Sequence, residues 1–88
     1  MKIYHVRLVK SAEKSLFQIH QSLPVIGRKI SHLIDSLETN PHLGTKLKGS
    51  DRETRRIQIG GYRLIYEVYE AQLLIIVVYA GPRGGAYN

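Results

Sequence analysis

Apolar residues recur with two different periods along this chain, and the change of period divides it into elements. Residues 3–9, "IYHVRLV", alternate in part and carry β-branched and aromatic side chains, which predicts a first strand. Ser11 stands where it can cap a helix, with Glu13 in that helix's first turn. Leu16, Ile19, His20 and Leu23 then recur at three- and four-residue spacing, with Ala12 and Phe17 widening the stripe. Pro24 suits the first turn of a second helix, expected over about residues 24–39, with Ile26, Ile30, Leu33, Ile34 and Leu37 on one face. Pro41 holds Asn40 out of helical geometry and ends the segment. Two antiparallel helices joined at a tight bend are the expected outcome.

From His42 the pattern changes. "HLGTKLKGSDRE" is turn-rich and basic, and in "TRRIQI" Ile57 and Ile59 alternate with Arg56 and Gln58. Gly60-Gly61 marks a hairpin, because glycine tolerates the positive φ that such turns need. "YRLIYEVY" follows, with Leu64, Tyr66 and Val68 on one face and Arg63, Ile65 and Glu67 on the other. A turn at residues 70–72 leads into "LLIIVVYA", whose continuous apolar character predicts a central strand buried on both faces. The order β-α-α-β-β-β predicts an α+β fold, an antiparallel sheet of about four strands with the two helices packed on one face.

Composition narrows the class. A chain of 88 residues, 43% apolar, is expected to form one domain over residues 1–88 with a single modest core. The absence of cysteine excludes disulfides, thiolate zinc sites and thiol nucleophiles. No apolar run is long enough for a signal peptide or a membrane span, so a cytoplasmic protein with no membrane role is expected. The net charge of +6 and its distribution point to a polyanionic partner. Between residues 46 and 63, six basic residues (Lys46, Lys48, Arg52, Arg55, Arg56 and Arg63) stand against Asp51 and Glu53.

Strands give fixed spacing and side-chain direction, so Arg56, Arg63 and Arg83 can converge on one phosphate, with Tyr87 near the chain end. That constellation reads as an RNA-binding and RNA-cleaving surface, to which Lys46, Lys48 and Arg55 would add phosphate contacts. The alternative for each cation taken singly is a solvated surface position. His5, His20 and His32 lie on elements remote from the arginines, and His42 lies in the loop between helices and strands. No histidine pairs with a carboxylate at metal-ligand spacing, so neither a metal site nor a cofactor is expected. Tyr62, Tyr66, Tyr69 and Tyr79 are open to two readings, a stacking platform for single-stranded RNA or core and rim packing; packing is favoured for most, Tyr66 above all because it shares a face with Leu64 and Val68.

The element order, together with "KLKG", "RRIQIGGYRLIYEV" and the "GPR…Y" ending, resembles the RelE/ParE toxin superfamily of bacterial toxin–antitoxin modules. The resemblance spans nearly the whole chain. It implies a toxin neutralised by a co-expressed acidic antitoxin, with operator DNA reached only through the toxin–antitoxin complex. In the RelE branch such toxins enter the ribosomal A site and cut mRNA there, which stops translation. In the ParE branch the same fold inhibits DNA gyrase, and a degenerate relative would only bind its antitoxin. The "GxR" turn followed by a tyrosine favours the RelE branch. By position the resemblance assigns catalytic roles to Arg56, Arg63, Arg83 and Tyr87. Gln58 stands where some RNA-cleaving members carry a lysine, and Pro82 where many carry histidine or lysine.

Metal-free RNA cleavage proceeds by attack of the ribose 2′-OH on the adjacent phosphate, leaving a 2′,3′-cyclic phosphate and a 5′-OH. Charge builds on the non-bridging oxygens, so fixed arginines aimed there lower the barrier. Arg63 suits that clamp and Arg83 suits the leaving oxygen. Tyr87 is open to two roles, accepting the 2′-OH proton as a phenolate or stacking on a base.

Overall fold

The computed structural model describes residues 2–48 and 53–84. Strand β1 (His5–Leu8) leads into helices α1 (Lys10–Ser22) and α2 (Pro24–Ser36), and four strands follow: β2 (Thr45–Lys46), β3 (Glu53–Ile59), β4 (Tyr62–Tyr69) and β5 (Leu74–Pro82). A single 3-10 turn, Glu70–Gln72, joins β4 to β5. The α+β class is as expected, with the helices on one face, but the sheet has five strands in the order β1-β5-β4-β3-β2.

Two differences account for the extra strand and the mixed pairing. The first strand does not run antiparallel: β1 pairs parallel with β5, His5 opposite Leu74 and Leu8 opposite Val77. Such a pairing joins the two ends of the chain across a helical crossover, which no local pattern announces. The second is β2, two polar residues pairing Thr45 with Arg56 and Lys46 with Arg55, too short to display a period. The β3–β4 hairpin is as expected, with Gly60 at φ 60°.

The helices also differ in detail. α1 starts at Lys10, and its N-cap is Val9, whose carbonyl accepts from Glu13 N–H at 3.0 Å; Ser11 lies inside the first turn and caps nothing. Phe17 is 62% exposed. Two residues from buried Ile19, it is rotated roughly 200° around the helix, off the apolar stripe. α2 begins with Pro24 at its N-terminus and ends at Ser36, short of the expected residue 39. Leu37 caps it, and the 37–40 turn follows, with Glu38 O accepting from Tyr4 N–H at 2.8 Å. The helices cross closely at Gly27, where a Cβ would stand 2.7 Å from His20 Nδ1. His20 Nε2 meets Ser31 Oγ at 2.8 Å across the same crossing.

Ile30, Leu37, Leu64, Tyr66, Ile75 and Val77 are all fully buried and form the centre of the helix–sheet interface. Each such apolar side chain contributes about 1.5–3 kcal/mol on burial. β5 is buried on one face only: Ile75, Val77 and Ala80 face the helices, while Leu74, Ile76, Val78 and Tyr79 are half-buried. The expectation of two-sided burial is corrected accordingly. Nothing is layered on the second face among the described residues, and its apolar side chains cover one another. A bulge at Val78 shifts the register, with Tyr66 opposite Val77 and Ile65 opposite Tyr79. Among the described residues no helix is long and apolar enough to cross a membrane.

Candidate functional site

The face of the sheet turned away from the helices carries the candidate site. Register alone determines which residues share it. Across the strands Thr45, Arg56, Ile65 and Tyr79 form one row, and Gln58, Arg63 and Gly81 form the next. Leu64 and Tyr66, which flank Ile65 in the chain, point the other way into the core. Arg56 and Arg63 are therefore diagonal neighbours on adjacent strands, a relation that puts side chains roughly 7–8 Å apart. Arg83 N–H donates to Gly61 O at 2.8 Å, which extends the β4–β5 ladder one step past Tyr62 and Pro82. Arg83 itself stands in the turn just past the end of β5. The structure thus puts Arg56 and Arg63 on one face, with Arg83 in the turn beyond the strand that neighbours Arg63.

Their surroundings suit an anion. Ile65, opposite Arg56 and two residues from Arg63 on the same face, is 1% exposed and gives the site an apolar floor. Arg63 Nε is buried and has no hydrogen-bond partner among the described residues. A buried cationic donor without an acceptor costs free energy, and a phosphate oxygen would relieve that cost. Tyr79, for which the sequence left stacking and packing both open, adds a wall to this face. Its ring passes over Gly81, where a Cβ would meet Oη at 2.8 Å, and its hydroxyl donates to Pro82 O at 2.8 Å. The available signal was a tyrosine two residues before a glycine on one strand, which leaves the ring room to lie flat.

The other candidates are placed differently. Arg55 pairs with Tyr66 and so lies on the helix side of the sheet. Its Nε donates to Glu53 Oε2 at 2.7 Å and its Nη1 to Gly44 O at 2.7 Å, so its guanidinium is engaged within the fold, away from Arg56 and Arg63. Lys46 is opposite Arg55 on exposed β2, and Lys48 is exposed just beyond it. Tyr87 lies outside the described residues.

His42 meets partners that its spacing did not predict. Its Nε2 lies 2.9 Å from Glu70 Oε1 and 3.3 Å from Glu53 Oε2. The ligand-competent atoms of the three residues all fall within 4.8 Å of one another. Sequence spacing showed no such grouping, because separations of 11 and 17 residues along the chain are closed only by folding. Tyr4 OH donates to Glu70 Oε2. That hydrogen bond, aided by His42, holds the Glu70 carboxyl below its usual range, and the same bond raises Tyr4. Burial raises the Tyr66 phenol, whose hydroxyl donates to Pro41 O and accepts from Gly44 N–H, both at 2.8 Å.

Comparison with known proteins gives a consistent answer. Residues 6–87 match the family described as the ParE toxin of type II toxin–antitoxin system, parDE. A protein of Methanocaldococcus jannaschii, named as a candidate toxin RelE1, is 39% identical over 66 residues, 69% of this chain and 72% of its own. The RelE–RelB complex of Pyrococcus horikoshii OT3 contains a chain 32% identical, with a TM-score of 0.77 over 96% of this chain and 99% of that one. The isolated Escherichia coli RelE toxin shares the fold at 24% identity and a TM-score of 0.71, over 96% of this chain and 90% of its own. The element order, the open basic face and these likenesses agree: the chain belongs to the RelE/ParE superfamily and is a toxin of the type II toxin–antitoxin class.

Proposed function

We propose that this toxin is a RelE-type endoribonuclease that cuts mRNA in the ribosomal A site and so stops translation in the cytoplasm. The observation that carries the reading is Arg63, a half-buried arginine whose Nε has no partner among the described residues, set between Gln58 and Gly81 on the open face. Arg56 and Arg63 hold the scissile phosphate, and their fixed charge meets the negative charge that develops on its non-bridging oxygens. The 2′-oxygen attacks phosphorus, its proton passes to a base, and the P–O5′ bond breaks to give the cyclic phosphate. Arg83 stabilises the departing 5′-oxygen. Tyr87 acts at the ribose, where its hydroxyl takes the 2′ proton or its ring orients the sugar. Lys46 and Lys48 contact ribosomal RNA at the sheet edge. Gln58, beside Arg63, serves as a hydrogen-bond partner to the phosphate, since an amide has no basic nitrogen.

An acidic antitoxin is the cognate partner. It complements the net charge of +6 and covers apolar groups that the fold leaves open, Phe17, Leu23 and Val25 among them, exposed by 62%, 41% and 56%. Solved relatives include RelE–RelB and YoeB–YefM complexes, which supports that pairing. Operator DNA would be reached through the antitoxin alone. The match to the ParE family gives a second reading some support, a gyrase inhibitor that cuts no RNA.

Primer-extension mapping of mRNA after brief induction without antitoxin separates the two. Cuts within translated codons, lost when the start codon is removed and absent with Arg83→Ala, are the expected result. Intact mRNA with growth arrest and a DNA-damage response would replace this reading with the gyrase one.

A further inference from the structure

On the helix side of the sheet edge, His42, Glu53 and Glu70 converge from three elements: the 41–44 loop, the first residue of β3 and the 3-10 turn. We propose that these residues bind one divalent transition-metal cation of the Zn2+ type, which fastens the loop, β3 and the turn together. The site is separate from the arginine face and does not depend on the RNA reading.

The geometry is that of a ligand set. Metal bonds of about 2.0–2.2 Å in tetrahedral array place neighbouring donor atoms roughly 3.3 Å apart. His42 Nε2 lies 3.3 Å from Glu53 Oε2 and 2.9 Å from Glu70 Oε1. A hydrogen bond accounts for only part of this arrangement. Nε2 carries a single proton and donates to one carboxylate at a time, so both carboxylates face a nitrogen that serves only one of them, Glu53 Oε2 accepting from Arg55 Nε at 2.7 Å as well. A cation answers both carboxylates and the nitrogen lone pair together.

The groups behind the ligands are oriented. Tyr4 OH engages Glu70 Oε2, which leaves Oε1 turned to the centre. Arg55 Nε holds Glu53, and Arg55 Nη1 and the Tyr66 hydroxyl secure the loop at Gly44 O and Pro41 O. Such outer contacts fix ligand direction in metal sites. Access is open, because the His42, Glu70 and Glu53 side chains are 51%, 46% and 20% exposed. Arg55 beside Glu53 subtracts from the attraction, so the site favours a cation strongly bound by imidazole and carboxylate over Mg2+ or Ca2+.

The test is a titration of the full chain with Zn2+ alone, after chelator treatment and dialysis, followed by calorimetry and by the NMR signals of the His42 ring. Saturable uptake of one equivalent, a shift of the His42 signals and a higher Tm are expected. Glu70→Gln, which keeps the shape of the side chain, should weaken binding by about tenfold or more. His32→Ala, on the exposed face of α2, should leave binding unchanged. Absence of saturable uptake, an unmoved His42 ring, full affinity in Glu70→Gln or its loss in His32→Ala would each overturn the proposal, the last two identifying adventitious surface binding.

Discussion

Arg63 has a strand on each side and a buried Nε, so its removal takes away the most firmly oriented charge of the site. Arg63→Ala should lower mRNA cleavage by about 10²–10³-fold, the usual cost of one oriented stabilising donor. Antitoxin pull-down should remain at the parent level, which distinguishes lost chemistry from lost folding. Arg63→Lys should recover only a small part, because an ammonium cannot span two phosphate oxygens. Tyr87→Phe separates the two roles open to that side chain: a comparable loss of cleavage means that the hydroxyl handles the proton, and near-parent cleavage means that the ring stacks. Strand alternation in the sequence already placed Arg56 and Arg63 on the face opposite Leu64 and Tyr66. The same alternation sends Arg55 the other way from Arg56, so its separation from the site was legible too. Its hold on Gly44 O was not, since that contact joins residues 11 apart through a turn without period.

At the scale of elements, the long periodic segments were readable and the short or non-local ones were not. α2 and the β3–β4 hairpin follow their apolar spacing and their Gly60-Gly61 turn. The α1 start departs from it because Val9 N–H already bonds Val77 O at 3.0 Å, so the parallel ladder, not a capping serine, decides where the helix begins. The loop of residues 41–44 is likewise held from a distance, by the Tyr66 hydroxyl between Pro41 O and Gly44 N–H. Tyr66→Phe should cost roughly 1–3 kcal/mol in urea unfolding, because both backbone groups lose that partner. The pH dependence has a defined sign. Burial raises the folded-state phenol above its ordinary value of 10.0, so folding favours the protonated form. That contribution is complete below the unfolded value and falls away as pH rises above it. Stability measured from neutral to strongly alkaline pH should therefore decline less steeply in Tyr66→Phe than in the parent. An equal decline in both would remove Tyr66 as the cause. Tyr4, whose phenol is also raised, keeps its own part of the slope in either protein.

Taken whole, the molecule divides its surface by the sheet: helices on one side, Arg56 and Arg63 on the other. Three properties of that arrangement came from different sources. The α+β class follows from the order of periods, the basic character from composition, and the closure of β1 on β5 only from the fold itself. The same closure and the β4–β5 turn bring Tyr4 and Glu70 to His42 and Glu53, which explains why a candidate cation site stayed invisible in the chain's spacing. On the open face the relevant physics is the exchange of counterions. Each phosphate neutralised on a single strand contributes about −0.7 to the slope of log affinity against log salt. Arg56, Arg63 and Arg83 acting together predict a slope of roughly −2 for a short RNA whose scissile nucleotide is 2′-deoxy, so that it binds without being cut. Arg56→Gln should reduce the slope by about 0.7 and weaken binding uniformly across sequences, as removal of a phosphate contact does. Arg55→Gln should leave the slope unchanged, because its charge faces Glu53 on the helix side. Equal effects from the two substitutions would mean that net charge, and not the row of arginines on one face, governs the interaction with RNA.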